Sequence, residues 1–177
     1  MSILKVARMG HPVLRAKGRA LERSELKSVA VQKLIDDMIE TMLEYRGVGL
    51  AAPQVHEGFR LFVALLDSDD SENGDRHSDP VAVVNPEIIQ IGSDVVDGWE
   101  GCLSIPDIRG QVPRAREVAL RALDRHGSRL ELHARDFAAR VIQHEGDHLD
   151  GVLFFDRMRS FESLTFLDEY ARYWAKD

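Results

Sequence analysis

Residues 143–151 read Gln143-His144-Glu145-Gly146-Asp147-His148-Leu149-Asp150-Gly151. Two residues four apart on a helix lie about 40° apart around its axis, so His144 and His148 face the same way. Glu145 falls about 100° from His144, at the edge of the same arc. The pattern H-E-x-x-H thus lets two imidazoles grip one metal ion while the carboxylate reaches its water without being a ligand. The helix is expected to start near Asp136, which can cap it. It then runs through Phe137, Val141 and Ile142 and stops at Gly151. Gly146 inside the helix costs about 1 kcal/mol relative to Ala, so packing rather than propensity must hold this segment.

A catalytic metal site takes three protein ligands and keeps one position open. Cys102, the single cysteine of the chain, is the natural third ligand, at the end of an expected strand. By itself a lone cysteine is more often a small buried apolar residue than a ligand. No intramolecular disulfide can form, which fits a reducing compartment. The other histidines, His11, His56, His77, His126 and His133, have no ligand spacing and read as surface or turn residues. The stretch Gly47-Val48-Gly49-Leu50-Ala51-Ala52-Pro53-Gln54 follows a helix and lacks G-x-G-x-x-G, which excludes a dinucleotide site. It could let a substrate backbone approach closely, and the Gln54 amide could donate to an oxyanion. A plain helix stop and connecting loop accounts for it as well.

Around these segments, apolar spacing predicts a helix from about Ser24 to Arg46, stopped by Gly47. Strands are expected at Arg60–Leu66, Val81–Ile91 and Ser93–Leu103, and a hairpin at Arg116–Leu123 and Arg129–His133. A short strand is expected at Val152–Phe155 and a third amphipathic helix at Phe161–Trp174. Residues 67–79 hold six acids, one Arg and no apolar side chain, the composition of a solvated loop. The fold class is therefore α+β, with antiparallel or mixed sheets packed around a central helix carrying H-E-x-x-H and a C-terminal helix.

The chain has 177 residues and a mass of 20.0 kDa, with no internal repeat or linker. It is expected to be a single catalytic domain over 1–177. A hydrophobic share of 44% and a charged share of 30% exclude an intrinsically disordered chain. No apolar run approaches the roughly 20 residues of a membrane helix, so no membrane partner is expected. Lys and Arg number 23 against 30 Asp and Glu, a net charge of −7 that argues against direct DNA binding.

Taken together, GVGLAAPQ at 47–54, EGCLS at 100–104 and QHEGDHLDG at 143–151 resemble the three motifs of peptide deformylases, in that family's order. KVARMGHPVLR at 5–15, VNPEI at 84–88, IPDIRGQVPR at 105–114 and LDGVLFFDR at 149–157 extend the resemblance over nearly the whole chain. The resemblance implies hydrolysis of the N-terminal formyl group from formyl-methionine of newly made polypeptides, giving formate and a free amine. It implies Cys102, His144 and His148 as metal ligands and Glu145 as general base, then general acid. Gln54 and the Leu103 N–H would stabilise the oxyanion. Gly49 would offer main-chain hydrogen bonds, Val48 and Val141 would line a methionine pocket, and Arg109 would stand near the peptide main chain. Glu100 and Arg114 resemble a salt bridge bracing the Cys102 strand. The implied cofactor is one divalent ion, Fe(II) by resemblance, with Zn(II), Ni(II) or Co(II) as alternatives; Cys/His/His also suits Zn(II) by ligand type.

The implied partners are N-formylmethionyl nascent peptides in a bacterial cytoplasm rather than an organelle. Some members of the family dock on the ribosome through a basic C-terminal helix. Here residues 161–177 carry four acids against Arg172 and Lys176, which leaves room only for weak, transient ribosome contact. Two other classes remain open at this stage. A zinc endopeptidase would need a downstream third ligand, Glu162 or Glu169. A non-enzymatic protein with a structural or redox-sensing metal–thiolate site would have no open coordination position. Gly146, Asp136-Phe137 and Trp99 depart from the family pattern without touching an implied ligand.

Overall fold

Leu61-Phe62-Val63-Ala64 is buried at every position, which requires cover on both faces of its strand. A computed structural model, describing residues 2–66 and 79–175, shows how that cover arises. The elements in chain order are α1 (Arg23–Leu26), α2 (Val29–Glu44), β1 (Gly49–Ala51), β2 (Leu61–Ala64), β3 (Val81–Ile91) and β4 (Val95–Cys102). They continue with β5 (Ile105–Ala115), β6 (Glu117–Leu123), β7 (Arg129–Arg135), α3 (Asp136–Leu149), β8 (Thr165–Phe166) and α4 (Leu167–Tyr173). A five-stranded sheet has the order β1-β2-β3-β6-β7, and a smaller sheet has the order β4-β5-β8. Every pairing between these strands is antiparallel.

Alternation along the strands sorts the side chains into two cores. Leu61 and Val63 point to one face with Ala82 and Val84, where they meet Ile35, Met38 and Met42 of α2. Phe62 and Ala64 point to the other face with Val83 and Leu120, where they meet Ala139, Val141 and Ile142 of α3. The larger sheet is therefore sandwiched between α2 and α3. A third core under the β4–β5 hairpin gathers Ala7, Leu14, Cys102, Ile105, Val112, Leu153 and Phe154. The result is an α+β fold with the H-E-x-x-H helix between the two sheets.

Several local expectations change. The helix expected from Ser24 to Arg46 is broken, because the Ser28 hydroxyl accepts from Val31 N at 3.3 Å and so starts a new helix. Its left-handed exit residue is Arg46 (φ 54°), one position before Gly47. Asp136 does not cap α3; it takes a left-handed conformation (φ 47°) and accepts from Arg116 Nε at 2.8 Å. The strand expected at Val152–Phe155 is a 3-10 turn over Phe154–Arg157, because Asp156 folds back to accept from Leu153 N at 2.8 Å. The C-terminal helix begins only at Leu167, after β8 pairs with Ile108 and Arg109. Strand β5 was not expected at all, since Pro106 and Pro113 interrupt its sequence. The acidic loop lies outside the described residues except for Asp79, as does His77.

Gly146 is the one glycine of α3. A Cβ built there meets nothing within 4 Å. Gly146→Ala should therefore raise stability by about 0.5–1 kcal/mol, through helix propensity and a less flexible unfolded chain. Denaturant unfolding of the two proteins measures this, and a loss of stability would show that the space is not free.

Candidate metal centre and active site

The centre is built where the end of β4 meets the middle of α3. Cys102 is the last residue of β4, at the turn of a hairpin in which it faces Ile105. His144 and His148 stand one turn apart on α3, with ring centroids 5.0 Å apart. All three are buried, and one ligand atom from each lies within 4.8 Å of the others. Cys102 Sγ is 3.2 Å from His148 Nε2. Donors at about 2.3 Å (sulfur) and 2.0–2.1 Å (nitrogen) from a tetrahedral ion stand about 3.5 Å apart. The spacing and the thiolate–imidazole chemistry both fit a divalent transition metal.

Electrostatics favour the ligating form of the sulfur. Burial opposes the thiolate, yet His148 and His144 outweigh it and draw the Cys102 thiol well below its ordinary pKa. Burial also opposes a charged His144, but the Cys102 sulfur and Glu100 lift its pKa well above the usual value. His144 is oriented by Glu100, whose Oε2 lies 2.9 Å from its Nδ1. The second ring nitrogen is thereby committed away from the centre, which fixes the tautomer. His148 Nδ1 has no hydrogen-bond partner among the described residues.

Glu100 belongs to a buried ion network. Arg114 donates Nε to its Oε1 at 2.9 Å and Nη2 to its Oε2 at 3.1 Å, the expected salt bridge. Three further charges join it that sequence reasoning missed. Arg140 Nη1 donates to Glu100 Oε1 at 2.9 Å. Asp147 accepts from Arg114 Nη1 at 2.6 Å and from Arg157 Nη2 at 2.7 Å. A signal existed for Arg140 and Asp147: they stand four residues before and three after His144, on the helical face that carries the ligands. Burial pushes the Glu100 carboxyl up, but His144 and Arg114 more than offset this and hold it at about 2.

Glu145 is buried beside the ligands, and its Oε2 has no hydrogen-bond partner among the described residues. Burial is the main cause that lifts its carboxyl to about 7, against the opposing pull of His144 and His148. Its carboxyl group rests on Gly49: a Cβ there would lie 2.7 Å from Glu145 Cδ. Gly49 opens β1, the terminal strand of the larger sheet, so one edge of its backbone has no strand partner among the described residues. Gln54 sits in a 3-10 turn just after β1, held by Ala51 N donating to its Oε1 at 2.8 Å. Its Nε2 then points at the centre, 3.5 Å from Cys102 Sγ and 3.2 Å from Ser104 Oγ.

The remaining expected residues meet in one cavity of about 790 Å³, lined by Val48, Gly49, Gln54, Cys102, Leu103, Arg109, Val141, His144 and Glu145 among others. Val141 is buried and Val48 exposed, so they form an inner and an outer apolar wall. The Arg109 guanidinium lies over Gly101, where any Cβ would collide with it. His11, His56, His126 and His133 are exposed, away from the centre. Glu162 and Glu169, the ligands an endopeptidase would need, are not in the cluster formed by the described residues.

Comparison with known proteins points to one family. The family model described as polypeptide deformylase matches residues 3–163. A peptide deformylase 2 from Nostoc sp. is 40% identical over 168 residues, covering 95% of this chain and 93% of its own. The crystal structure of a class I type b peptide deformylase from Acinetobacter baumannii, bound to Met-Ala-Ser, superposes with a TM-score of 0.81 at 40% identity. That match covers 89% of this chain and all of the other. A peptide deformylase structure from Thermotoga maritima gives a TM-score of 0.79 at 39% identity, over 90% and 100% of the two chains.

Two outcomes follow for Glu100→Gln. Zn(II) or Co(II) affinity should fall about 10- to 100-fold, because His144 loses its charged orienting partner; competition with a chelator of known affinity measures it. The second outcome concerns acid unfolding of the metal-free protein. The native Glu100 pKa lies below the ordinary 4.5, so its stabilisation is complete above pH 4.5 and lost as pH falls toward 2. The wild type should show that acid loss, and the variant should show less of it.

Proposed function

The chain belongs to the polypeptide deformylase family, and we propose that its Cys102, His144 and His148 hold the catalytic ion for that family's reaction. The chain is a metal-dependent amide hydrolase that removes the N-terminal formyl group from formyl-methionine of newly synthesised polypeptides. The observation that carries the residue assignment is the meeting of three ligand atoms within 4.8 Å beside a buried carboxylate.

A divalent ion held by the three side chains would supply Lewis acidity toward the formyl oxygen and acidify a nearby water. Glu145 takes the proton from the attacking water as the new C–O bond forms at the formyl carbon. Negative charge then develops on the formyl oxygen. Gln54 Nε2, which lies 3.5 Å from the Cys102 sulfur, and the N–H of the next residue, Leu103, donate to it. The C–N bond breaks, and Glu145 returns its proton to the leaving nitrogen. One carboxylate serves both steps because the first leaves it protonated for the second. Formate and a free amine result.

The peptide lies along the open edge of β1, taking main-chain hydrogen bonds from Gly49 as an added strand would. Its methionine side chain enters between Val48 and Val141, and Arg109 stands beside the main chain. The native ion is Fe(II), with Zn(II), Ni(II) and Co(II) as substitutes for the same ligands. The chain acts as a single catalytic domain over 1–177 in a bacterial cytoplasm. No helix among the described residues is long and apolar enough to cross a membrane. Ribosome contact is weak and transient, since α4 has Asp168 and Glu169 in its first turn and carries a single Arg172.

Anaerobic purification with metal analysis, followed by assay of formyl-Met-Ala-Ser, tests the proposal. Formate release should stop when chelator strips the ion and resume when Fe(II) is restored. Full activity in metal-free protein would overturn the metal assignment. Glu145→Gln should retain the ion and lose turnover by on the order of 10²- to 10⁴-fold. Gly49→Ala should also lower kcat/KM while keeping the ion, because its Cβ must displace the Glu145 carboxyl.

A further inference from the structure

Behind α3, on the side away from the metal ligands, lies another cavity, of about 490 Å³. Ile142, Gly146 and the C-cap residue Asp150 line it at four-residue spacing, one stripe of the helix. Gly146 is two residues from both His144 and His148, about 160° around the axis from each, so this cavity and the metal centre occupy opposite faces. The two cavities share no lining residue. Two features hollow it out. Gly146 puts no side chain there, and a Cβ would meet nothing within 4 Å. Across from it β3 departs from regular pairing: Asn85 is left-handed (φ 50°), and the register with β6 shifts between Val84 and Glu87 and again between Ile88 and Gln90. Such bulges bend a strand and re-aim its side chains, so Ile88 and Ile91, three apart instead of two, border the same cavity. Phe62 and Ile142 are buried at its floor, and Ile91, 62% exposed, stands at its rim. Near the end of α3, Arg60 gives Nη1 to Asp150 Oδ1 at 2.7 Å and to Leu149 O at 3.4 Å, while its Nε and Nη2 have no partner among the described residues. Arg157 commits Nε and Nη2 to Asp147, and its Nη1 has no partner among the described residues.

We propose that this cavity is a second ligand site, for a neutral, mostly apolar small molecule that carries a carbonyl acceptor. Its volume falls within the roughly 300–1,000 Å³ of small-molecule sites, which combine apolar walls with a few placed polar groups. The isoleucines and Phe62 suit a hydrocarbon or aromatic body. The spare N–H groups of Arg60 and Arg157 suit an acceptor. Arg60, Arg114 and Arg157 are matched by Glu87, Asp147 and Asp150, so the lining carries no net formal charge. An ion of either sign would lose its water here without a field to replace it. A carbonyl takes the donors without that cost. The site stands apart from the substrate cleft and holds whether or not the chain is a deformylase.

Three probes of similar size and different charge test it: 2-phenylacetamide, phenylacetate and 2-phenylethylammonium. Amide ¹H–¹⁵N shifts of the Zn(II)-loaded protein follow each titration. Phenylacetamide should move the signals of Gly146, Ile88 and Ile91 and bind at least about tenfold more tightly than either ion. Gly146→Leu, whose side chain would occupy the cavity, should weaken that binding by more than about tenfold. Leu also favours the helix over Gly, so α3 is expected to stay intact. Ile91→Ser removes part of the wall at an exposed position and should weaken binding severalfold, which keeps the test decisive if the first variant fails to fold. No shift at these residues with millimolar phenylacetamide overturns the site. Tighter binding of either ion, unchanged affinity in both variants, or shifts confined to the residues of the catalytic cavity overturn it as well.

Discussion

One carboxylate, Glu100, receives four donors in the interior: two from Arg114, one from Arg140 and one ring nitrogen of His144. Those partners come from β5 and from α3, so the contact fixes the small sheet against the central helix. A buried charge that lost one of these partners would be costly, which makes the arrangement all-or-none. Arg114 continues the chain of charges to Asp147, and Asp147 to Arg157 in the 3-10 turn that follows α3. Charges of alternating sign thus run from β4 through β5 and α3 to the next turn. Within this frame His144 has one orientation, and the ligand geometry at Cys102 follows from it.

The helix α3 is buried on two sides of opposite character. Ala139 and Ile142 pack into the core of the larger sheet. Arg140, His144 and Asp147 form a polar stripe toward β4 and β5 at four- and three-residue spacing. This division explains how a helix with a glycine at its centre holds. Tertiary contacts on both sides replace what local propensity lacks.

Much of this was legible because the informative patterns are local. Helical spacing places His144, Glu145 and His148 without any knowledge of the rest of the chain. Val, Ile and Leu content identified β3, and alternation the β6–β7 hairpin, with nearly correct ends. The errors fall where tertiary contacts overrule local signals. Ser28 reads as one more residue of a long helix until its hydroxyl caps a new one. The prolines of β5 hide a strand that pairs with β4 over most of its length. The Val152–Phe155 run is apolar enough for a strand, but the Asp156 carboxylate curls it into a turn. Cys102 was placed beside the histidines by ligand count and by resemblance, since nothing local connects a residue to partners more than 40 positions away. Arg157 looks like an ordinary surface charge in sequence; only the fold brings it against Asp147.

The distance along the chain between Cys102 and the H-E-x-x-H helix has a thermodynamic consequence. A protein whose ligands are scattered binds its ion well only after folding, so binding draws the population toward the native state by mass action. Apparent stability then becomes a function of free metal concentration, rising by about 2.7 kcal/mol when the ion stands at a hundred times its dissociation constant. With the ion held as proposed, chains starved of the cation would spend more time open and meet proteases more often, which would tie abundance to metal supply.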